Sequence, residues 1–260
     1  MRERDDISGQ LGELRSKGGA GSFLADLSLP PRGQKDEILE LVEWHLFEIV
    51  FFTNRILARR SSIRELLNEQ GELFRQGVQV PAEIFDSVES VIDLCGRVCL
   101  HIWPTKPLKK KSFSIEKYET LLRLNRERSQ LIQGILEINK KGIFPLLSDR
   151  TVRNSVSHRD ERMDEFFIDP QRTDFITRNV GGSDRVRLSD GSENMPFFDH
   201  FNSRSWNYQV YQDVLNIQEL FCELELLRDK AHKAQTLVTM RRTINARYLE
   251  MLQESENTIC

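Results

Sequence analysis

The chain has 260 residues, a formal net charge of -3 and 30% charged residues of both signs, so it is long enough to bury a core without staples. This mixed, near-neutral surface excludes a globally basic nucleic-acid binder, and any anionic ligand has to be met by a local patch. Four scattered cysteines, Cys95, Cys99, Cys222 and Cys260, exclude a disulfide scaffold.

Residues 1–33 read as a flexible N-terminal segment. Gly18, Gly19 and Gly21 loosen it, and Pro30-Pro31 closes it. Its opening, Met1-Arg2-Glu3-Arg4-Asp5-Asp6, has no apolar stretch behind it, so no export signal is expected. The most apolar run, Leu41 to Phe52, is cut by Glu43, His45 and Glu48. No membrane span and a cytoplasmic location are therefore expected.

A first helix is predicted from Lys35 or Asp36, with Ile38, Leu41, Val42, His45, Leu46, Ile49, Phe52, Ile56 and Leu57 at core-facing spacing. Ile63, Leu66 and Leu67 carry it towards Gly71. On this stripe His45 reads as a satisfied core histidine. Pro81 marks a second start, and Ile84 to Ile102 forms a second apolar stripe that Pro104 and Pro107 stop. Cys95 and Cys99, four apart, read as a small buried pair on that helix. The run Lys106-Pro107-Leu108-Lys109-Lys110-Lys111 is the densest in positive charge. It reads either as a solvated loop or, through Lys109, Lys110 and Lys111, as a phosphate-contacting one.

A third helix is predicted after Ser114, running past Ile138 until Gly142 and Pro145 end it. A fourth follows from about Leu146 to Phe167. The texture then changes. Residues 175–180 and 185–188 flank Gly181-Gly182-Ser183-Asp184 and read as two strands around a glycine turn. Phe197-Phe198 and the alternation Trp206, Tyr208, Val210 add one or two more. Helical rhythm is predicted from Asp213 onwards through a long last helix. His200 and His232 have no obvious partners in the sequence. The organisation expected is one helical domain over 34–260, with a β insertion at about 173–210.

The sharpest chemical feature is Arg153-Asn154-Ser155-Val156-Ser157-His158, on the fourth predicted helix. An Arg-Asn pair five residues before a histidine is expected by chance only about 0.02 times in such a composition. On an ideal helix Asn154 and His158 share a face and Arg162 continues it, whereas Arg153 and His158 point apart. A site using both needs a distorted helix end or a second chain. The plainer reading is a helix cap whose charges pair with Asp149, Asp160, Glu161 or Asp164.

Arg153-Asn154-x-x-x-His158, followed by Arg159-Asp160-Glu161-Arg162-Met163-Asp164-Glu165-Phe166, resembles the HEPN superfamily, whose members carry an Arg-x4-6-His motif, often with Asn after the Arg. It is especially similar to a group of bacterial HEPN-like proteins with a short strand insertion and a last helix after the motif. Arg159 departs from that group, where an aromatic follows the histidine. The resemblance implies a mainly α, HEPN-like helical bundle with a small β-hairpin or sheet insertion before a long C-terminal helix. It also implies a homodimer in which two motifs form one cleft and cleave RNA without metal or cofactor. The RNA 2′-hydroxyl would attack, His158 would serve as base or acid, and Arg153 and Asn154 would hold the phosphate, leaving a 2′,3′-cyclic phosphate. Lys109, Lys110, Lys111 and Arg162 would contact the RNA. An antitoxin or regulatory protein is the further partner implied for a toxin or defence effector. The alternative from the same resemblance is a non-catalytic nucleotide- or protein-binding scaffold.

Overall fold

The computed structural model describes residues 34–69, 82–107, 113–138, 143–168, 179–181, 186–187, 193–195 and 198–259. Helices dominate: α1 (Gln34–Glu69), α2 (Ala82–Ile102), α3 (Ile115–Ile135), three short helices α4 (Pro145–Ser148), α5 (Thr151–Ser157) and α6 (Arg159–Ile168), and α7 (Ile217–Ile259). A four-stranded sheet and a two-stranded one stand between α6 and α7. Among the described residues, no helix is long and apolar enough to cross a membrane. The expected segment 1–33 and Lys109, Lys110 and Lys111 lie outside the described residues.

The long helices follow from spacing. On α1 the buried positions are Leu39, Val42, Leu46, Ile49, Thr53, Ile56 and Ile63, alternate steps of three and four that keep one stripe inward. On α7 the stripe is Leu220, Phe221, Leu224, Leu227, Ala231, Ala234 and Val238. On α2 burial runs from Ile84 to Ile102 and includes Cys95 and Cys99, as the sequence indicated.

The chain forms two compact units, Met1–Phe47 with Ile102–Lys140 and Lys230–Cys260, and Glu48–His101 with Lys141–Asp229. In the first, Ser114 caps α3 by accepting from the Lys117 N–H at 3.1 Å. This helix ends at Ile135, short of the predicted end at Gly142 and Pro145. The cause is a left-handed Glu137 (φ 58°). With it, the N–H of Ile138 reaches Gln133 O and that of Glu137 reaches Gly134 O, which ties off the last turn without glycine. Ser129 and Gln133 of α3 donate to the Ile102 carbonyl at the end of α2. Buried Arg128 places Nη1 2.5 and 2.8 Å from the two ring nitrogens of half-buried His45.

The second unit carries the sheet, in the order β1 (Asn179–Gly181), β4 (Asp199–Asn202), β5 (Asn207–Val210), β6 (Asp213–Asn216). β1 pairs with β4 in parallel, Val180 opposite Phe201, and the other pairings are antiparallel. The separate ribbon pairs β2 (Val186–Arg187) with β3 (Glu193–Met195). Among the described residues the predicted hairpin around Gly181-Gly182 does not pair: Asn179–Gly181 and Val186–Arg187 each pair with a later strand. The second correction is at 213–216, which is strand where helical rhythm was expected. There Leu215 is buried and Val214 exposed, the alternation of a strand. The helix starts only after Asn216, whose side chain accepts from the Glu219 N–H at 2.9 Å. His200 is buried in β4, with Nδ1 against the side chain and carbonyl of Asn179. It thus has partners that the sequence did not reveal.

Candidate functional site

The segment expected to form one helix from Leu146 to Phe167 is three pieces, set by local caps and by contacts from α2 and α7. Pro145 opens α4, and the Glu223 carboxylate of α7 accepts from the N–H groups of Leu146 (3.0 Å) and Leu147 (2.8 Å). Burial raises the pKa of Glu223, and those two N–H bonds only partly offset it. The Cys99 thiol of α2 donates to Leu147 O at 3.0 Å. Asp149 then accepts from the N–H and hydroxyl of Thr151 at 2.8 and 2.6 Å, opening α5.

Helix α5 turns Val152 and Ser155 inward and Asn154 and Ser157 to solvent. Arg153 is half-buried and crosses Gly96 of α2, where a methyl group would come 3.0 Å from its Cδ. Burial raises the pKa of the Cys99 thiol, and the Arg153 charge nearby pulls the other way. Burial likewise pushes Cys95 well up. Arg153, Asp149, Cys95 and several aliphatic side chains line a cavity of about 20 Å³, room for about one water molecule. Among the described residues Arg153 has no carboxylate partner within 4 Å. Of the pairings a capping role would use, Asp149 serves Thr151 instead, whereas His158 does cap α5 and pairs with Glu161.

His158 sits at the break between α5 and α6, with φ -118° and ψ 39°, far from helical values. The i+4 ladder survives around it: the His158 N–H donates to Asn154 O at 2.9 Å, and the Arg162 N–H to His158 O at 3.0 Å. The imidazole is exposed, its Nδ1 3.3 Å from Glu161 Oε1. Arg162 pairs with Glu165 at 2.7 Å, and that hydrogen bond raises its pKa. Within one chain, then, Asn154 and His158 are both exposed while Arg153 turns inward. The three are not gathered around one point, as the five-residue spacing implied.

The residues that the sequence reading missed lie just behind the break. Arg159 Nη2 donates to Glu89 Oε1 of α2 at 2.5 Å and to the Tyr208 hydroxyl of β5 at 3.1 Å. The Tyr208 hydroxyl donates to the same Glu89 oxygen at 3.1 Å. Arg159 Nε lies 3.5 Å from Oδ2 of Asp199, which is 1% exposed on β4. Burial opposes the Arg159 charge, but Glu89 and Asp199 outweigh it and raise its pKa. Burial and the Glu89 charge raise that of Tyr208. One turn earlier, the buried Ser155 hydroxyl donates to Asp213 Oδ2 of β6. The only sequence signal for this network was Arg159 itself, a charge where the resemblance leads one to expect an aromatic. Among the described residues, no group of three His, Cys, Asp or Glu side chains is placed to hold a metal ion.

No family model matches the chain, and neither does any curated protein or solved structure.

Proposed function

We propose that the chain is a metal-independent endoribonuclease of HEPN type, acting as a homodimer in the role of a toxin or defence effector. The observation that carries this reading is a half-buried Arg153 with no carboxylate partner among the described residues, one turn before an exposed His158 at a helix break. A cation left without an internal counter-charge suits an anionic ligand, and an exposed imidazole suits proton transfer.

In the proposed reaction one His158 takes the proton of the RNA 2′-hydroxyl, whose oxygen attacks phosphorus. The P–O5′ bond breaks, and the second protomer's His158 protonates the leaving oxygen. Arg153 and Asn154 hold the non-bridging oxygens, and Arg162 with Lys109, Lys110 and Lys111 contacts the strand. The products are a 2′,3′-cyclic phosphate and a 5′-hydroxyl.

Mixing wild-type and His158→Ala protomers at fixed total concentration, after subunit exchange, tests the two-chain site. Activity should fall as the square of the wild-type fraction, because mixed dimers lack one proton-transfer group. A linear fall would overturn the shared site. One observation favours a second reading, a non-catalytic binding scaffold: the Arg153 side chain is packed over Gly96 of α2.

A further inference from the structure

We infer that Arg159 is a positioning residue for His158: its part-buried network with Glu89, Tyr208 and Asp199 holds the helix break that presents the imidazole. The inference rests on the reading of His158 as a proton-transfer group.

Three observations support it. First, the break has no local cause. Neither glycine nor proline occurs between Thr151 and Ile168, and those are the usual local origins of a sharp kink. Second, both sides of the break are tied to the sheet by part-buried polar contacts. Ser155 is held by Asp213 of β6, and Arg159 by Asp199 of β4 and Tyr208 of β5, with Glu89 of α2 closing the group. Third, the tie is directional. A guanidinium is a planar group, and this one donates through Nη2 to Glu89 and to Tyr208, while its Nε side lies 3.5 Å from Asp199 as an ion pair without a hydrogen bond. The two Nη2 hydrogen bonds fix an angle as well as a distance. His158 is bonded to Arg159, and among the described residues its own ring pairs with the exposed Glu161 alone, which is weak in solvent. The backbone that carries the imidazole is thus set by its neighbour, and a shift of about 1 Å at such a group can cost roughly 100-fold in rate.

The test uses the full chain with Arg159→Lys, which keeps the charge and loses the fork, and Tyr208→Phe, which keeps the ring and loses the hydroxyl. His158 is followed by its imidazole carbon–proton NMR signal and residues 155–162 by amide exchange. In both variants the His158 signal should shift or broaden. Exchange at 155–162 should quicken about 10-fold or more, while amides of α7 between Leu220 and Leu227 keep their protection. RNA cleavage should lose kcat with KM within about 2-fold, the mark of misplacement rather than lost binding. An unchanged His158 signal and unchanged exchange at 155–162 in both variants would overturn the inference. Absence of cleavage by the wild type would instead sink the nuclease reading, and the spectroscopic arm would still decide whether Arg159 positions His158.

Discussion

Replacing Arg159 with methionine isolates the energetic weight of the part-buried network. Methionine fills much of the same volume but takes the guanidinium away from Asp199, 1% exposed, and from Glu89. At 3.5 Å and an effective dielectric of about 20, the lost Arg159–Asp199 attraction is about 5 kcal/mol. Removing one partner of a buried ion pair costs about 3–5 kcal/mol. Glu89 is partly exposed, so water offsets some of its share. The expected loss is therefore about 3–5 kcal/mol, a large part of the roughly 5–15 kcal/mol that holds a domain. Because the chain has two compact units, the assay needs a local probe. Trp206 lies buried in the same unit, so its emission during urea unfolding, with Trp44 and Trp103 replaced by phenylalanine, reads that unit. Adding Glu89→Gln to Arg159→Met should recover part of the loss, since the carboxylate that Arg159 hydrogen-bonds is then neutral. A loss under about 1 kcal/mol, or no recovery in the double variant, would refute this reasoning.

Gly96→Ala adds a methyl group 3.0 Å from Arg153 Cδ. The helix-propensity gain of about 1 kcal/mol should offset the crowding, so stability should change little while the Arg153 side chain swings away. RNA affinity should fall, and the salt dependence of binding should become shallower by about 0.7 in log–log slope for one lost phosphate contact; unchanged binding would detach Arg153 from the RNA. Glu223→Gln addresses pH. The folded-state pKa of Glu223 is raised above its ordinary 4.5, so its contribution is present below that value and lost as pH rises through the folded pKa. Relative to Glu223→Gln, the wild type should lose stability over that window and run parallel above it. Urea titrations from pH 4 to 8 check the sign, and a wild type that gains stability there would contradict it.

The long helices were legible because burial at steps of three and four leaves a direct trace, as at Leu39, Val42, Leu46 and Ile49 or Leu220, Leu224 and Leu227. Ends written in local chemistry were legible too: Ser114 caps α3 as its position suggested. Other ends were not. A left-handed glutamate closes α3, and residues 213–217 fit both helical and strand periods. There Asn216 followed by Glu219 was the available signal for where α7 begins. The pairing of β1 with β4 depends on a partner some twenty residues away and has no local signature. The candidate site divides the same way. Arg153, Asn154 and His158 stand out in composition, whereas the break at His158 arises from Glu89, Asp199, Tyr208 and Asp213. Those residues are distant in sequence, and nothing in a local pattern names them.

The most direct measurement is cleavage of a mixed total-RNA and tRNA substrate in EDTA, wild type beside His158→Ala, with the ends of the fragments identified. The account predicts cutting by the wild type, fragments ending in 2′,3′-cyclic phosphate and 5′-hydroxyl, and loss of cutting in a His158→Ala protein that unfolds at the wild-type urea concentration. Cutting retained by a clean His158→Ala preparation, or products with 5′-phosphate ends, would contradict it.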